Sequence, residues 1–186
     1  MSRFTVVDLP LIGLKRITRE PMGDSRGALT RVFCADELAS AGWHKPIAQI
    51  NHTYTAMRGT VRGLHYQLPP HAEMKLVSCI KGEIWDVAID LRTGSPTFLQ
   101  WHAEQLSADN HHALLIPEGF GHGFQALTHD TEILYCTSSS YTVPAERGLH
   151  PLDDHLGIDW PLSVTELSAR DSSHAFINGN FQGVLL

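Results

Sequence analysis

One stretch of the sequence gathers the side chains that proton chemistry needs. Arg62-Gly-Leu-His65-Tyr-Gln67 is followed a few residues later by Lys75. An imidazole takes a proton near neutral pH, and nearby cations steady the negative charge left behind. In a strand the side chains alternate, so His65 shares a face with Val61, Gly63 and Gln67, and Arg62 falls on the other. For both to line one cavity the pleat must break at Gly63, a residue type that tolerates a bulge. The plainer reading is a hydrogen-bonded core histidine beside an exposed arginine, and spacing alone leaves both open.

Four further positions invite the same two readings. Tyr135, in Thr131-Glu-Ile-Leu-Tyr-Cys-Thr137, is either a core aromatic with a bonded hydroxyl or a phenolic acid facing a carbanion. Asp171, in Leu167-Ser-Ala-Arg-Asp171, is a solvated carboxylate unless it orients a histidine and fixes its tautomer. Arg26, in Asp24-Ser-Arg-Gly27, is a turn residue or a phosphate clamp. His122, in Pro117-Glu-Gly-Phe-Gly-His122, has the spacing of the second half of the cupin motif, whose histidine often binds a metal. The first half would supply H-x-H; here it reads His65-Tyr66-Gln67. With that ligand missing, no metal is expected, and His122 is otherwise a turn residue bonded to backbone. No glycine-rich loop follows a strand and opens a helix, so a nucleotide would be held by side chains.

The elements that must carry these residues are short and β-like. Strands are expected over 28–33, 47–54, 60–67, 75–81, 83–91, 97–106, 113–116, 123–128 and 131–137. Such runs, recurring about every ten residues, indicate a sandwich or barrel. In Glu83–Leu91, Trp85, Val87, Ile89 and Leu91 share one face, and Asp86 and Asp90 the other. Lys81-Gly82 reads as a tight hairpin and Gly94-Ser95-Pro96 as a second turn. One short helix is expected over 36–41, stopped by Gly42, and another from Ser163, where Ser163-x-x-Glu166 has the form of a capping box. Without βαβ alternation a parallel sheet is disfavoured. The expected fold is all-β: an antiparallel double-sheet jelly roll with short peripheral helices.

Composition narrows the partners. A chain of 186 residues suits one domain spanning 1–186, against a prior of about 150 residues per domain. Lys and Arg number 14 against 20 Asp and Glu, a net charge of −6; with no basic excess, no nucleic-acid partner is expected. No apolar run approaches the roughly 20 residues of a membrane span, and the N-terminal stretch lacks the apolar centre of a signal peptide. The three cysteines, Cys34, Cys79 and Cys136, show no C-x-x-C spacing, which points to a reducing cytoplasm.

Taken in order, these segments resemble the nucleotide-sugar 3,5-epimerases typified by dTDP-4-dehydrorhamnose 3,5-epimerase. The matching strings are Asp24-x-Arg-Gly27, Gln49-x-Asn51, Arg62-Gly-Leu-His-Tyr-Gln67, Lys75-Leu-Val77, the run 82–92, Ser95-Pro-Thr97, the run 116–124, Tyr135, Trp160-Pro161 and the run 167–171. They span nearly the whole chain. The resemblance implies a cupin-type jelly roll without metal or other cofactor, a homodimer that exchanges a strand, and a nucleoside-diphosphate 4-keto-6-deoxy sugar as substrate. It implies that His65 is the base, paired with Asp171. It places Lys75 at the C4 oxygen and Tyr135 as the proton donor on the opposite face. Arg26, Arg62 and His122, with Gln49 and Asn51, would hold the substrate. Ala28 and Leu29 stand where the family usually has aromatics, Ser140 where it has tyrosine, and Met74 where a glycine commonly precedes the lysine, narrowing the space beside it. A non-catalytic sugar-binding module would have no need of base and acid on opposite faces.

Overall fold

Runs rich in β-branched and aromatic residues, each closed by a turn, form strands that bury one or both faces. The structure, a computed structural model, describes residues 2–186. In chain order its elements are β1 (Phe4–Asp8), β2 (Lys15–Arg19), β3 (Met22–Asp24), β4 (Gly27–Leu29), α1 (Ala35–Ala39), β5 (Gln49–Thr55), β6 (Val61–Gln67), β7 (Lys75–Lys81), β8 (Glu83–Asp90), β9 (Trp101–Ser107), β10 (His112–Ile116), β11 (Phe120–Ala126), β12 (Thr131–Thr137) and β13 (Glu146–Gly148). One sheet has the order β1-β2-β10-β7-β12-β5, the other β13-β6-β11-β8-β9, and β3 and β4 form a separate hairpin. Every strand pair is antiparallel. The expected all-β jelly roll is the fold observed.

The core lies between the sheets. Val77, Cys79, Leu114 and Ile133 of the first meet Ile84, Ala88, Leu106, Phe120 and Phe124 of the second. The outer face of the first sheet is covered by α1 and its flanks, where Leu76 and Cys136 pack with Leu38 and Trp43. The C-terminal segment covers the second, placing Leu149, Leu156, Ile177 and Val184 against Val87 and Ile89. Strand β8 is therefore buried on both faces, and its Asp86 and Asp90 point inward, both fully buried. Asp90 takes hydrogen bonds from Arg92, Ser95 and Thr97, so the Gly94-Ser95-Pro96 turn is tied to the sheet by a carboxylate.

Several expectations need correction. Lys81-Gly82 is not a hairpin: β7 and β8 belong to different sheets, and the turn carries the chain from one to the other. Of the strand expected over 28–33, only Ala28 and Leu29 pair, within the short strand Gly27–Leu29 against Met22–Asp24. The strand expected from Thr97 begins at Trp101, because 97–100 fold as a turn around Asp90. No helix starts at Ser163. Glu166 instead bridges Thr60 in backbone pairing, and its carboxylate accepts the Thr60 hydroxyl at 3.3 Å, so tertiary contacts consume the residue that would have capped the helix. Strands β1 and β2 were not expected; their charged residues dilute the apolar pattern. The helix forms one residue early and ends at Ala39, and Gly42 follows at φ +107°.

The pleat does break at Gly63. Along the β11–β6 pair, His122 faces His65 but Phe124 faces Arg62, so β6 carries one extra residue. Gly63 sits at φ +125°, and a Cβ there would lie 2.5 Å from the Gly123 α-carbon and 2.8 Å from the His122 carbonyl oxygen. Both neighbours are backbone and yield little. Gly63→Ala is expected to destabilise the fold by about 2–5 kcal/mol, from left-handed strain plus overpacking; a denaturant melt beside the wild type checks it.

Candidate active site

Alternation decides which side chains enter the space between the sheets. On β7, Lys75 falls on the inner face with Val77 and Cys79; on β12, Tyr135 does so with Ile133. Tyr135 is opposite Val77, and Thr137 opposite Lys75, which makes Lys75 and Tyr135 diagonal neighbours. On the edge strand β5, Gln49, Asn51 and Thr53 turn inward while Ile50, His52 and Tyr54 are exposed. From the other sheet come His65 and His122, directly opposite each other on β6 and β11. The bulge at Gly63 returns Arg62 to the same side.

These residues line a cleft with two lobes. One, of about 270 Å³, is lined by Thr53, Arg62, His65, Lys75, His122 and Tyr135, with Ser168, Arg170 and Asp171 from the C-terminal segment. The other, of about 280 Å³, is lined by Gln49, Asn51, Gln67, Glu73 and Tyr141 among others. His65, Lys75, Tyr135 and Arg170 belong to both lobes.

Hydrogen bonds fix the protonation pattern. His65 Nε2 lies 2.7 Å from Asp171 Oδ1. Burial, the largest influence, pushes the Asp171 carboxyl up. The His65 hydrogen bond and charge, with the Gly63 N–H and the Ser168 hydroxyl, outweigh it and hold the carboxyl below its ordinary value. A carboxylate only accepts, so His65 Nε2 carries the proton and Nδ1 is the basic nitrogen. Asp171 also accepts the Gly63 N–H at 3.3 Å, so the bulge and the dyad support each other. His122 Nε2 meets the buried Asp86 Oδ1 at 2.7 Å. His122 is therefore a strand residue held by a carboxylate, not the backbone-bonded turn residue that spacing alone also allowed.

Opposite the dyad, Lys75 is 8% exposed. Its Nζ lies 3.2 Å from Glu73 Oε1 and 3.5 Å from the His65 carbonyl oxygen. Tyr135 keeps its proton: burial above all, and then the Glu73 carboxylate, push the phenol above its ordinary 10.0, against a Thr53 hydrogen bond and the Arg62 charge. The site thus sets the His65 imidazole on one sheet against the Lys75 amine and a protonated phenol on the other. That arrangement can remove a proton beside a carbonyl, hold the enolate in a shielded space, and return a proton from the far side.

A family model for dTDP-4-dehydrorhamnose 3,5-epimerase matches residues 8–178. The chain belongs to this family. A dTDP-4-dehydrorhamnose 3,5-epimerase from Sinorhizobium fredii is 41% identical over 166 residues, covering 89% of this chain and 85% of that one. The crystal structure of the dTDP-4-dehydrorhamnose 3,5-epimerase of Bacillus anthracis, with TDP and PPi bound, matches at a TM-score of 0.90 and 37% identity, covering 94% of this chain and 99% of that one. The 3,5-epimerase of Legionella pneumophila in complex with dTDP-4-keto-L-rhamnose matches at 0.90 and 34% identity, covering 98% and 99%. This member of the epimerase family is an isomerase that acts on a nucleoside-diphosphate 4-keto-6-deoxy sugar at C3, C5 or both.

Most of the sequence-predicted site residues of this epimerase converge. His65, Lys75, Tyr135, Asp171, Arg62 and His122 line the first lobe, and Gln49 and Asn51 the second. Arg62 is held by the Thr55 hydroxyl at 3.1 Å and the Tyr54 carbonyl at 3.2 Å. Arg26 is not brought in: it pairs with Asp24 on the β3–β4 hairpin, its side chain 88% exposed, and lines neither lobe. Met74 packs among the outer residues beside Trp43 and Leu76 and does not narrow the space around Lys75. Sequence reasoning missed Glu73, Asp86 and Arg170. Asp86 had a signal, a charge in the middle of an apolar strand; Arg170 had its place beside Asp171.

Among the described residues no helix is long and apolar enough to cross a membrane.

Proposed function

We propose that the enzyme inverts both C3 and C5 of a dTDP-linked 4-keto-6-deoxy sugar without a metal or redox cofactor. The observation that carries this is the opposition of the His65–Asp171 dyad to Lys75 and Tyr135 across the cleft. His65 Nδ1 takes the C–H proton, Lys75 holds the enolate oxygen at C4, and Tyr135 returns a proton on the other face. No electrons leave the sugar, so no redox partner is needed. Arg62 and Arg170 are the cations suited to the diphosphate, with His122, Gln49 and Asn51 as further substrate contacts. The bound TDP and dTDP-sugar of the two solved relatives support thymine as the base. Incubation with dTDP- and CDP-linked 4-keto-6-deoxyglucose in heavy water, followed by NMR, tests the reading. Deuterium at both C3 and C5 of the dTDP compound is expected. Label at one carbon, or preference for the CDP compound, would replace it with a mono-epimerase or a different nucleotide.

We infer that the working form is a cytoplasmic homodimer. All six residues of the β3–β4 hairpin are exposed, including Met22 and Leu29, an unpaired ribbon that suits pairing with a second copy. Exchange of this hairpin would deliver Arg26 to the partner's cleft. Three free cysteines fit a reducing compartment. Light scattering is expected to give about twice the 20.6 kDa chain mass; a monomer at micromolar concentration would count against the dimer.

A further inference from the structure

The C-terminal 3-10 turn, Asp171–Ser173, delivers one more imidazole to the dyad. His174 Nε2 lies 4.0 Å from Asp171 Oδ1, the oxygen that also takes the His65 hydrogen bond. The two imidazoles meet edge to face with centroids 5.9 Å apart. Gly148, the strand partner of His65 on β13, makes room: a Cβ there would come within 2.1–2.5 Å of three ring atoms of His174, so the ring rests against the glycine. His174 Nε2 is buried and has no hydrogen-bond partner. That nitrogen is packed against Gly148, and the epimerase reaction does not use it.

We propose that His65, Asp171 and His174 form a binding site for a divalent transition-metal ion, zinc the best fit, and that occupancy switches the enzyme off. One ligand atom from each of the three residues lies within 4.8 Å of the others. Tetrahedral zinc with bonds of about 2.0–2.1 Å sets neighbouring ligand atoms about 3.3 Å apart. The observed 2.7 Å and 4.0 Å straddle that value, and the two imidazole nitrogens lie within 4.8 Å of each other, so the rings must close by up to about 1.5 Å to reach it. Two imidazoles and one carboxylate select zinc, copper or nickel over magnesium or calcium. Binding replaces the proton between His65 Nε2 and Asp171 with the cation, and the proton leaves to solvent. His65 then loses the carboxylate that makes it a base, which is why a metal here inhibits. Binding stands on geometry alone; inhibition rests on the function proposed above.

Titration calorimetry with buffered zinc should show one tight site per chain. His174→Ala should weaken it by at least about 100-fold, since even residues behind the ligands are worth about 10–100-fold. Cobalt should give the visible absorption of a tetrahedral ion in the wild type and lose it in the variant. If His174→Ala folds poorly by circular dichroism, His174→Gln, which keeps a polar side chain of similar reach, replaces it. Equal zinc affinity in wild type and variant, or no tetrahedral cobalt spectrum in the wild type, would overturn the site. In epimerase assays one equivalent of zinc should stop the wild type, a chelator should restore it, and the variant should resist. Zinc bound at this site with turnover unaffected overturns the inhibition. A chain that binds zinc here yet never turns over the nucleotide sugar supports the site and overturns the proposed function instead.

Discussion

His65→Ala is expected to stop the entry of solvent deuterium into the sugar. A C–H beside a ketone is acidic only because the charge left on carbon moves to oxygen, and something must still take the proton. In the cleft Lys75 is paired with Glu73, and Tyr135 retains its proton to above its ordinary 10.0, so the phenol is no base at neutral pH. His122 faces the same lobe and its Nε2 is likewise paired, with Asp86 of the adjacent strand β8, which makes it the alternative base. His65 Nδ1 is the nitrogen that the Asp171 bond leaves basic. A missing general base costs about 10²–10⁴-fold in rate. Deuterium exchange followed by NMR should therefore fall into that range or below detection. Exchange at the wild-type rate would move the base assignment to another residue, His122 first. Asp171→Asn is expected to give the same kind of defect, because it keeps the imidazole but removes the charge that fixes its tautomer and stabilises its protonated form.

The site was legible where its chemistry coincided with strand alternation and obscure where long-range contacts decided. Tyr135 and Lys75 enter the cleft because they share parity with Ile133 and Val77, and this follows from the sequence. Arg62 and His65 share it only through the Gly63 bulge, which alternation demanded and glycine permitted. Asp171 has no local reason to meet His65; 106 residues separate them, and only the return of the C-terminal segment across β6 joins them. The same segment defeated the local reading of Ser163-x-x-Glu166, since Glu166 finds its partner on Thr60 and not within a helix. Alternation put Asp86 and Asp90 on the face opposite Trp85, Val87, Ile89 and Leu91 without saying what covers it. The two aspartates are fully buried because both sheet faces are covered; Arg92, Ser95 and Thr97 donate to Asp90, while Asp86 has His122 on Oδ1 and no partner on Oδ2. Arg26 stays exposed on the β3–β4 hairpin, where nothing local in its motif brings it to the cleft.

Tyr135→Phe should fail in a different way. The substitution removes one oxygen and leaves the ring packed beside Ile133 and Val77, so the fold should lose no more than about 1 kcal/mol, the usual worth of a hydrogen bond such as that with Thr53. His65 still takes the proton and, with no donor on the far face, gives it back from its own side. Deuterium should then enter the sugar with the original configuration kept, most clearly at C5. Exchange and inversion, which run together in the wild type, are expected to separate, with inversion reduced about 10²–10⁴-fold as for any lost general acid. The raised pKa of Tyr135 adds a pH test. A phenol held above 10.0 stays protonated across the neutral range, so inversion should show no loss from this group until pH passes that value. NMR of the product's configuration beside its deuterium content reads both quantities in one sample. Normal inversion by Tyr135→Phe would return Tyr135 to the role of a packed core aromatic, and the proton would have to come from water or from another group in the second lobe.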